Sequence, residues 1–198
     1  MSVDRILLKG GCVLTLDPDI GNYRQADVLI EGSRIASIGP RLRVADAEVI
    51  DASDMIVMPG FIDTHRHIWE GILKNIAPDA LLEEYFRDIL GVLAPVYRPQ
   101  DAYAGNLVSA LGAIDAGVTT LLDWSHIQNT PEHTDAAISA LQESGLRSVF
   151  AYGTPNLDMP AWWHQSSLRH PDDVRRVAKQ YFSSNDGLIT LALAPRGP

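Results

Sequence analysis

Two histidines one residue apart, His65 and His67, close the segment Val57-Met-Pro-Gly-Phe-Ile-Asp-Thr-His-Arg-His67. In a strand, side chains alternate between faces, so this spacing sends both imidazoles to one side and Arg66 to the other. Two imidazoles aimed at one point begin a divalent-metal site. The spacing alone is weak evidence, because ordinary strand-end histidines show it equally well. Context sharpens it. Pro59-Gly60 breaks one run of strands and Phe61-Ile62 opens a buried one, which places the pair at that strand's C-terminal end, where parallel α/β barrels carry their reactive groups.

The neighbouring residues admit a chemical and a plain reading. Trp69 and Glu70 follow the pair immediately and either line a substrate mouth or are a loop-packing tryptophan and a solvated carboxylate. Asp63 stabilises the strand end or orients a neighbour, and Arg66 makes a structural ion pair. Asp123-Trp124-Ser125-His126 ends a second strand, so His126 either touches substrate or the ligands' surroundings, or is a hydrogen-bonded loop histidine. Trp162-Trp163-His164 is an aromatic cluster that walls a pocket or covers the barrel top. His133, in the first turn of a helix, reads as a surface residue, His170 as a helix-start residue and Cys12 as structural.

The elements that must position these groups fall into two rhythms. Residues 5 to about 58 alternate short apolar runs with turn residues: Ile6–Leu8 before Gly10-Gly11, Val13–Leu16 before Asp17-Pro18, and Asp27–Ile30 and Arg34–Ile38 around Glu31-Gly32-Ser33. Such spacing predicts a small β-sandwich or half of one, with a hairpin at Gly32. After His67 the pattern becomes strands alternating with helices, as in parallel α/β folds. Helices are predicted from Asp79 to about Leu93, from about Gln100 to Ala116, from Thr130-Pro131 to Gly145, and over Pro171–Phe182. Strands are expected at 61–65, 118–124, 146–152 and 188–194. A complete (β/α)₈ barrel needs eight strands and about 250 residues, so four strands amount to about half of one.

Composition narrows the function classes. The 198 residues carry a net charge of −9, with 46% hydrophobic and 21% charged residues. An acidic chain without a basic stripe argues against nucleic acid. Cys12 is the only cysteine, so no intrachain disulfide forms, and a reduced, cytoplasmic setting fits. No apolar run approaches the ~20 residues of a membrane span. One cysteine also rules out the His-x-Glu plus Pro-Cys-x-x-Cys set of the small zinc deaminases. His-Glu-x-x-His, Gly-x-Ser-x-Gly and the phosphate-binding Gly-x-x-x-x-Gly-Lys are absent.

Pro59-Gly60-Phe61-Ile62-Asp63-Thr64-His65-Arg66-His67 resembles the first-strand signature of the amidohydrolase superfamily, in the branch holding cytosine, guanine and adenosine-type deaminases and the triazine chlorohydrolases. The resemblance runs from the N-terminal strands to Pro198. It implies the first half of a (β/α)₈ TIM-type barrel preceded by a small β-sandwich segment. The expected domains are 1–58, part of that satellite sandwich, and 59–198, the first four β/α units of the barrel. It also implies that His65 and His67 bind zinc or iron, with Trp69, Glu70 and His126 offered as substrate contacts. The other ligands and the acid/base residue are expected beyond Pro198. Many relatives carry glutamine near Glu70, from which this chain departs. Leu188–Ala194 lacks the carbamylated lysine of the cyclic-amidase branch, which favours a mononuclear site.

The implied reaction is hydrolytic deamination, or dechlorination, of a heterocyclic ring by a metal-activated water. The expected partners are a small heterocyclic substrate and a second copy of the chain, with neither nucleic acid nor membrane. The competing reading is a catalytically inactive half-barrel that oligomerises or binds a partner.

Overall fold

The structure, a computed structural model, describes residues 5–162, 166–168, 171–184 and 186–195. Trp163, His164 and His170 lie outside the described residues. The chain divides into two compact units, Met1–Pro59 and Gly60–Pro198.

The first unit is a single five-stranded sheet. It contains β1 (Arg5–Val13), β2 (Tyr23–Glu31), β3 (Arg34–Gly39), β4 (Glu48–Asp51) and β5 (Ile56–Val57). The order is β3-β2-β1-β4, with β5 also pairing β1. Strands β1, β2 and β3 are antiparallel neighbours, whereas β4 and β5 run parallel to β1. The expected hairpin turns at Gly32, whose φ of 60° suits glycine. Gly10-Gly11, expected to end the first strand, instead lies inside β1 as an irregularity in its pairing with β2. The reason is Asp27, a buried carboxylate that accepts hydrogen bonds from Gly10 N and Leu42 N, both at 2.8 Å. Val13, Ala26 and Val28 form the small core. Where the sequence predicts a small β-sandwich or half of one, the described residues of this unit form one sheet.

The second unit carries a four-stranded sheet of order β6-β7-β8-β9, parallel throughout. The strands are β6 (Phe61–Arg66), β7 (Val118–Ser125), β8 (Arg147–Tyr152) and β9 (Ile189–Leu193). Between β6 and β7 lie a 3₁₀ turn (Ile68–Leu73), a helical stretch and helix α3 (Pro99–Asp115). The helical stretch begins as α1 (Leu82–Glu84), widens into a π-helix (Tyr85–Leu93) and ends as α2 (Ala94–Val96). Helix α4 (Pro131–Ser144) joins β7 to β8, and α5 (Val174–Tyr181) joins β8 to β9. A short 3₁₀ turn, Met159–Trp162, precedes α5.

Apolar positions from these elements meet in one core. Ala110 and Ala113 of α3, Ala137, Ile138 and Leu141 of α4 and Val177 of α5 pack with Leu121, Phe150 and Ile189 of the sheet. Gly145 stops α4 in the left-handed conformation, φ 70°, as its composition predicts.

One helix differs from expectation. The helix expected from Asp79 begins at Leu82, where Glu84 reaches back to accept from Leu81 N at 2.8 Å. It then winds wider, with Ala94 N bonding to the carbonyl of Ile89 five residues back. Tyr85, Phe86, Ile89, Leu90 and Leu93 suit either winding. Packing on Trp69, Tyr97, Ala102 and Ile127 accompanies the wider one.

Candidate functional site

His65 and His67 stand at the C-terminal end of β6, but simple alternation does not deliver them. Asp63 pairs with Leu121 and Arg66 with Asp123, so two residues of β6 face one of β7 and a bulge falls at Thr64-His65. Asp63 holds the irregularity: Oδ1 accepts from His65 N at 3.2 Å, and Oδ2 accepts from Arg66 Nε at 2.7 Å. The expected roles of Asp63, to orient a neighbour, and of Arg66, to pair with an acid, meet in this one contact. His67 lies past the strand, directly before the 3₁₀ turn.

The two rings nevertheless come together, with centroids 4.9 Å apart and planes at 84°. His67 Nδ1 is 2.8 Å from the carbonyl oxygen of Trp124. A carbonyl only accepts, so Nδ1 carries the proton and Nε2 keeps its lone pair. That is the tautomer a ligating histidine needs, oriented by a partner on its other nitrogen. Burial pulls the His67 pKa below its ordinary value, and His65 adds to this, against the Trp124 carbonyl. A neutral imidazole at neutral pH follows.

Around the pair the rings continue. His126 sits 4.3 Å from His67 between ring centroids, and Trp69 5.4 Å from His126 and 5.1 Å from Tyr97. Trp69 is completely buried and His126 nearly so. Trp69 therefore backs the site as part of a packed wall and is not open at a substrate mouth. Glu70 accepts a 2.5 Å hydrogen bond from the Tyr85 hydroxyl at the start of the π-helix. Burial raises the Glu70 pKa, partly offset by that hydroxyl. Glu70 is held, not a freely solvated carboxylate.

The loops after β7 and β8 lock His126 from behind. Asn156 Nδ2 donates to the His126 carbonyl at 2.5 Å, and Asn129 joins Asn156 N to the carbonyl of Ala94. His133, expected at the surface, is buried. Its Nε2 donates to the Tyr97 carbonyl at 2.8 Å and its Nδ1 accepts from the Thr130 hydroxyl at 2.9 Å. The first turn of α4 is covered by the segment before α3, which local sequence does not show.

Asp123, to which sequence position alone assigns no role, does carry a signal: an acid inside the apolar run Leu121-Leu122-Asp123-Trp124. Its side chain is completely buried, with Oδ1 accepting from Ile68 N at 3.2 Å. Burial lifts its pKa to about 7, against hydrogen bonds from Ile68 and Ser125 and with help from Glu70.

The donor set suits a divalent ion, since two imidazoles converge and that of His67 has its tautomer fixed. Among the described residues, no group of three or more His, Cys, Asp or Glu side chains is arranged to hold a metal. A catalytic zinc normally takes three protein ligands plus water, so His65 and His67 fit as part of a site.

The chain is similar to several known proteins. A 5-methylthioadenosine/S-adenosylhomocysteine deaminase from Symbiobacterium thermophilum is 30% identical over 199 residues, covering 99% of this chain and 43% of the relative. A 5'-deoxyadenosine deaminase from Methanosarcina acetivorans is 28% identical over 193 residues, covering 98% of this chain and 42% of the relative. Atrazine chlorohydrolase from Arthrobacter aurescens, crystallised with zinc, superposes with a TM-score of 0.80 at 25% identity. That match covers 98% of this chain and 47% of the chlorohydrolase. The chain thus spans less than half the length of these relatives. The second unit is the first half of a (β/α)₈ TIM-type barrel. The sequence profile of the amidohydrolase family matches residues 56–198, and the chain belongs to that family.

Proposed function

We propose that this chain is the N-terminal portion of a metal-dependent hydrolase and carries the first part of its site. The reaction replaces an amino or chloro substituent of a heterocyclic ring by the hydroxyl of water, releasing ammonia or chloride. One observation carries this reading: His65 and His67 converge at the end of β6, with Nδ1 of His67 committed to the Trp124 carbonyl. These two residues would hold a divalent ion, zinc or iron; zinc is the metal seen in the chlorohydrolase neighbour. When bound, such an ion lowers the pKa of a coordinated water from ~15.7 towards ~7.

The chain's own residues prepare that chemistry. Burial keeps His67 neutral, the Trp124 carbonyl fixes its tautomer, and Asp63 sets the bulge that brings His65 beside it. Glu70, steadied by Tyr85, and His126 flank the pair as candidate substrate contacts, and Trp69 supports them from the packed layer. Deamination is the leading reaction, because curated relatives are named for it, and dechlorination follows from the chlorohydrolase neighbour. No helix among the described residues is long and apolar enough to cross a membrane. With the single free Cys12, a cytoplasmic enzyme acting on a small heterocycle is the consistent setting.

A second reading has its own observation. Among the described residues, β6 and β9 each have one strand neighbour, and Phe61, Ile62 and Leu193 on them are more than half exposed. Open apolar edges favour association, so an inactive half-barrel that pairs with a second copy is the alternative.

One experiment separates the two: zinc stoichiometry and affinity together with sedimentation mass, for the chain and for His65→Ala and His67→Ala. Zinc binding that falls more than about 100-fold in either variant supports the hydrolase reading, since even outer-sphere losses cost 10–100-fold. Equal zinc binding in all three proteins refutes the ligand assignment. A metal-free dimer turns the choice to the second reading.

A further inference from the structure

His67 stands beyond the last ladder position of β6, and two consecutive residues of β7 hold it there. The Trp124 carbonyl takes the His67 Nδ1 proton at 2.8 Å, and Asp123 Oδ1 takes the N–H of Ile68, the next residue, at 3.2 Å. His67 opens the 3₁₀ turn Ile68–Leu73 and gives it no side-chain cap. The first free N–H of that turn is therefore satisfied from across the sheet, by Asp123.

Packing alone gives no reason for an acid at this position. Asp123 is completely buried between Leu122 and Trp124 and makes no ion pair among the described residues; besides the Ile68 N–H, the neighbouring Ser125 side chain bonds it there. Burying such a group is unfavourable unless its hydrogen bonding is needed. An apolar side chain of similar size would fill the same volume. What it would not do is grip the peptide that follows His67, and without that grip the ring loses its register with the Trp124 carbonyl.

We propose that Asp123 is a positioning residue for His67, acting through the Ile68 peptide. The proposal rests on the reading of His67 as a metal ligand, but it concerns a hydrogen bond that exists without the metal. It assigns the role to the acceptor oxygen of Asp123 and not to its charge.

The test uses the 198-residue chain with Asp123→Leu and Asp123→Asn. Leucine fills the buried site and removes the acceptor; asparagine keeps an oxygen where Oδ1 stands. Two quantities are read: the His67 ring tautomer in the metal-free chain, by ¹⁵N–¹H correlation, and zinc affinity, by competition with a chromophoric chelator. Asp123→Leu is expected to remain folded, to mix the two His67 tautomers, and to bind zinc about 10- to 100-fold more weakly. Asp123→Asn is expected to keep the wild-type tautomer and an affinity within about threefold, since its oxygen still accepts.

Wild-type tautomer and affinity in Asp123→Leu overturn the proposal. So does an asparagine variant as impaired as leucine, because charge would then be the operative property. If the wild-type chain binds no measurable zinc, the tautomer comparison alone decides the role of Asp123. If Asp123→Leu does not fold, Asp123→Ala takes its place with the same expected outcome.

Discussion

Replacing Gly105 by alanine would place a methyl group 2.1 Å from the carbonyl oxygen of Trp69 and 2.9 Å from its carbonyl carbon. Both are backbone atoms of the turn that follows the histidine pair, so no side chain can rotate aside. Non-bonded heavy atoms rest about 3.5 Å apart, and α3 and the turn must separate by roughly 1.4 Å to admit the methyl. Overpacking of this kind costs about 1–3 kcal/mol. Against it stands the helix preference of alanine over glycine, about 1 kcal/mol. With backbone atoms that cannot rotate aside the steric cost wins, and Gly105→Ala should destabilise by up to about 2 kcal/mol net.

The same helix supplies the control. Gly112 has nothing within 4 Å of an added methyl, so Gly112→Ala should stabilise by about 0.5–1 kcal/mol. Urea unfolding midpoints of the three proteins read both signs. A Gly105→Ala protein as stable as the wild type, or gaining as much as Gly112→Ala, would mean that α3 does not approach the Trp69 carbonyl this closely. The reasoning would then fail.

His133→Ala would leave the Tyr97 carbonyl and the Thr130 hydroxyl without their partner, a loss of about 1–3 kcal/mol in the same assay; a change below about 0.5 kcal/mol would count against the buried clamp. Asp101, held by Arg98 at the start of α3, has its pKa lowered from 3.8 to about 2. A lowered carboxylate pKa stabilises the fold above the unfolded value and loses that contribution as pH falls through the folded one. Asp101→Asn should therefore lower the thermal midpoint at pH 7, with the difference shrinking as pH falls below about 4 and closing by about pH 1. A difference that stays constant across that range would contradict the ion pair.

Much of this protein was legible along the chain because the signals are local. The Gly32 hairpin, the stop at Gly145, the four parallel strands and the placing of His65 and His67 at a strand end follow from turn chemistry and hydrophobic period, which neighbouring residues express by themselves. The family signature at Pro59–His67 is equally local.

What the tertiary structure decided depends on residues far apart in sequence. Asp27 turns Gly10-Gly11 from a strand end into a bulge by binding Gly10 N from 17 residues away. The start of α4 is buried because the Tyr97 carbonyl lies over it, which makes His133 a clamp and not a surface group. Trp69 faces a packed layer and not a mouth, because Tyr97 and His126 close on it from other segments. Alternation alone would have aimed His65 and His67 correctly in an ideal strand. Here β6 bulges, and the pair converges through Asp63, the Trp124 carbonyl and Asp123. Residue types along the chain announce which groups can do chemistry. Their orientation is set by hydrogen bonds across the sheet, and a sequence carries no explicit record of which strand will lie beside which.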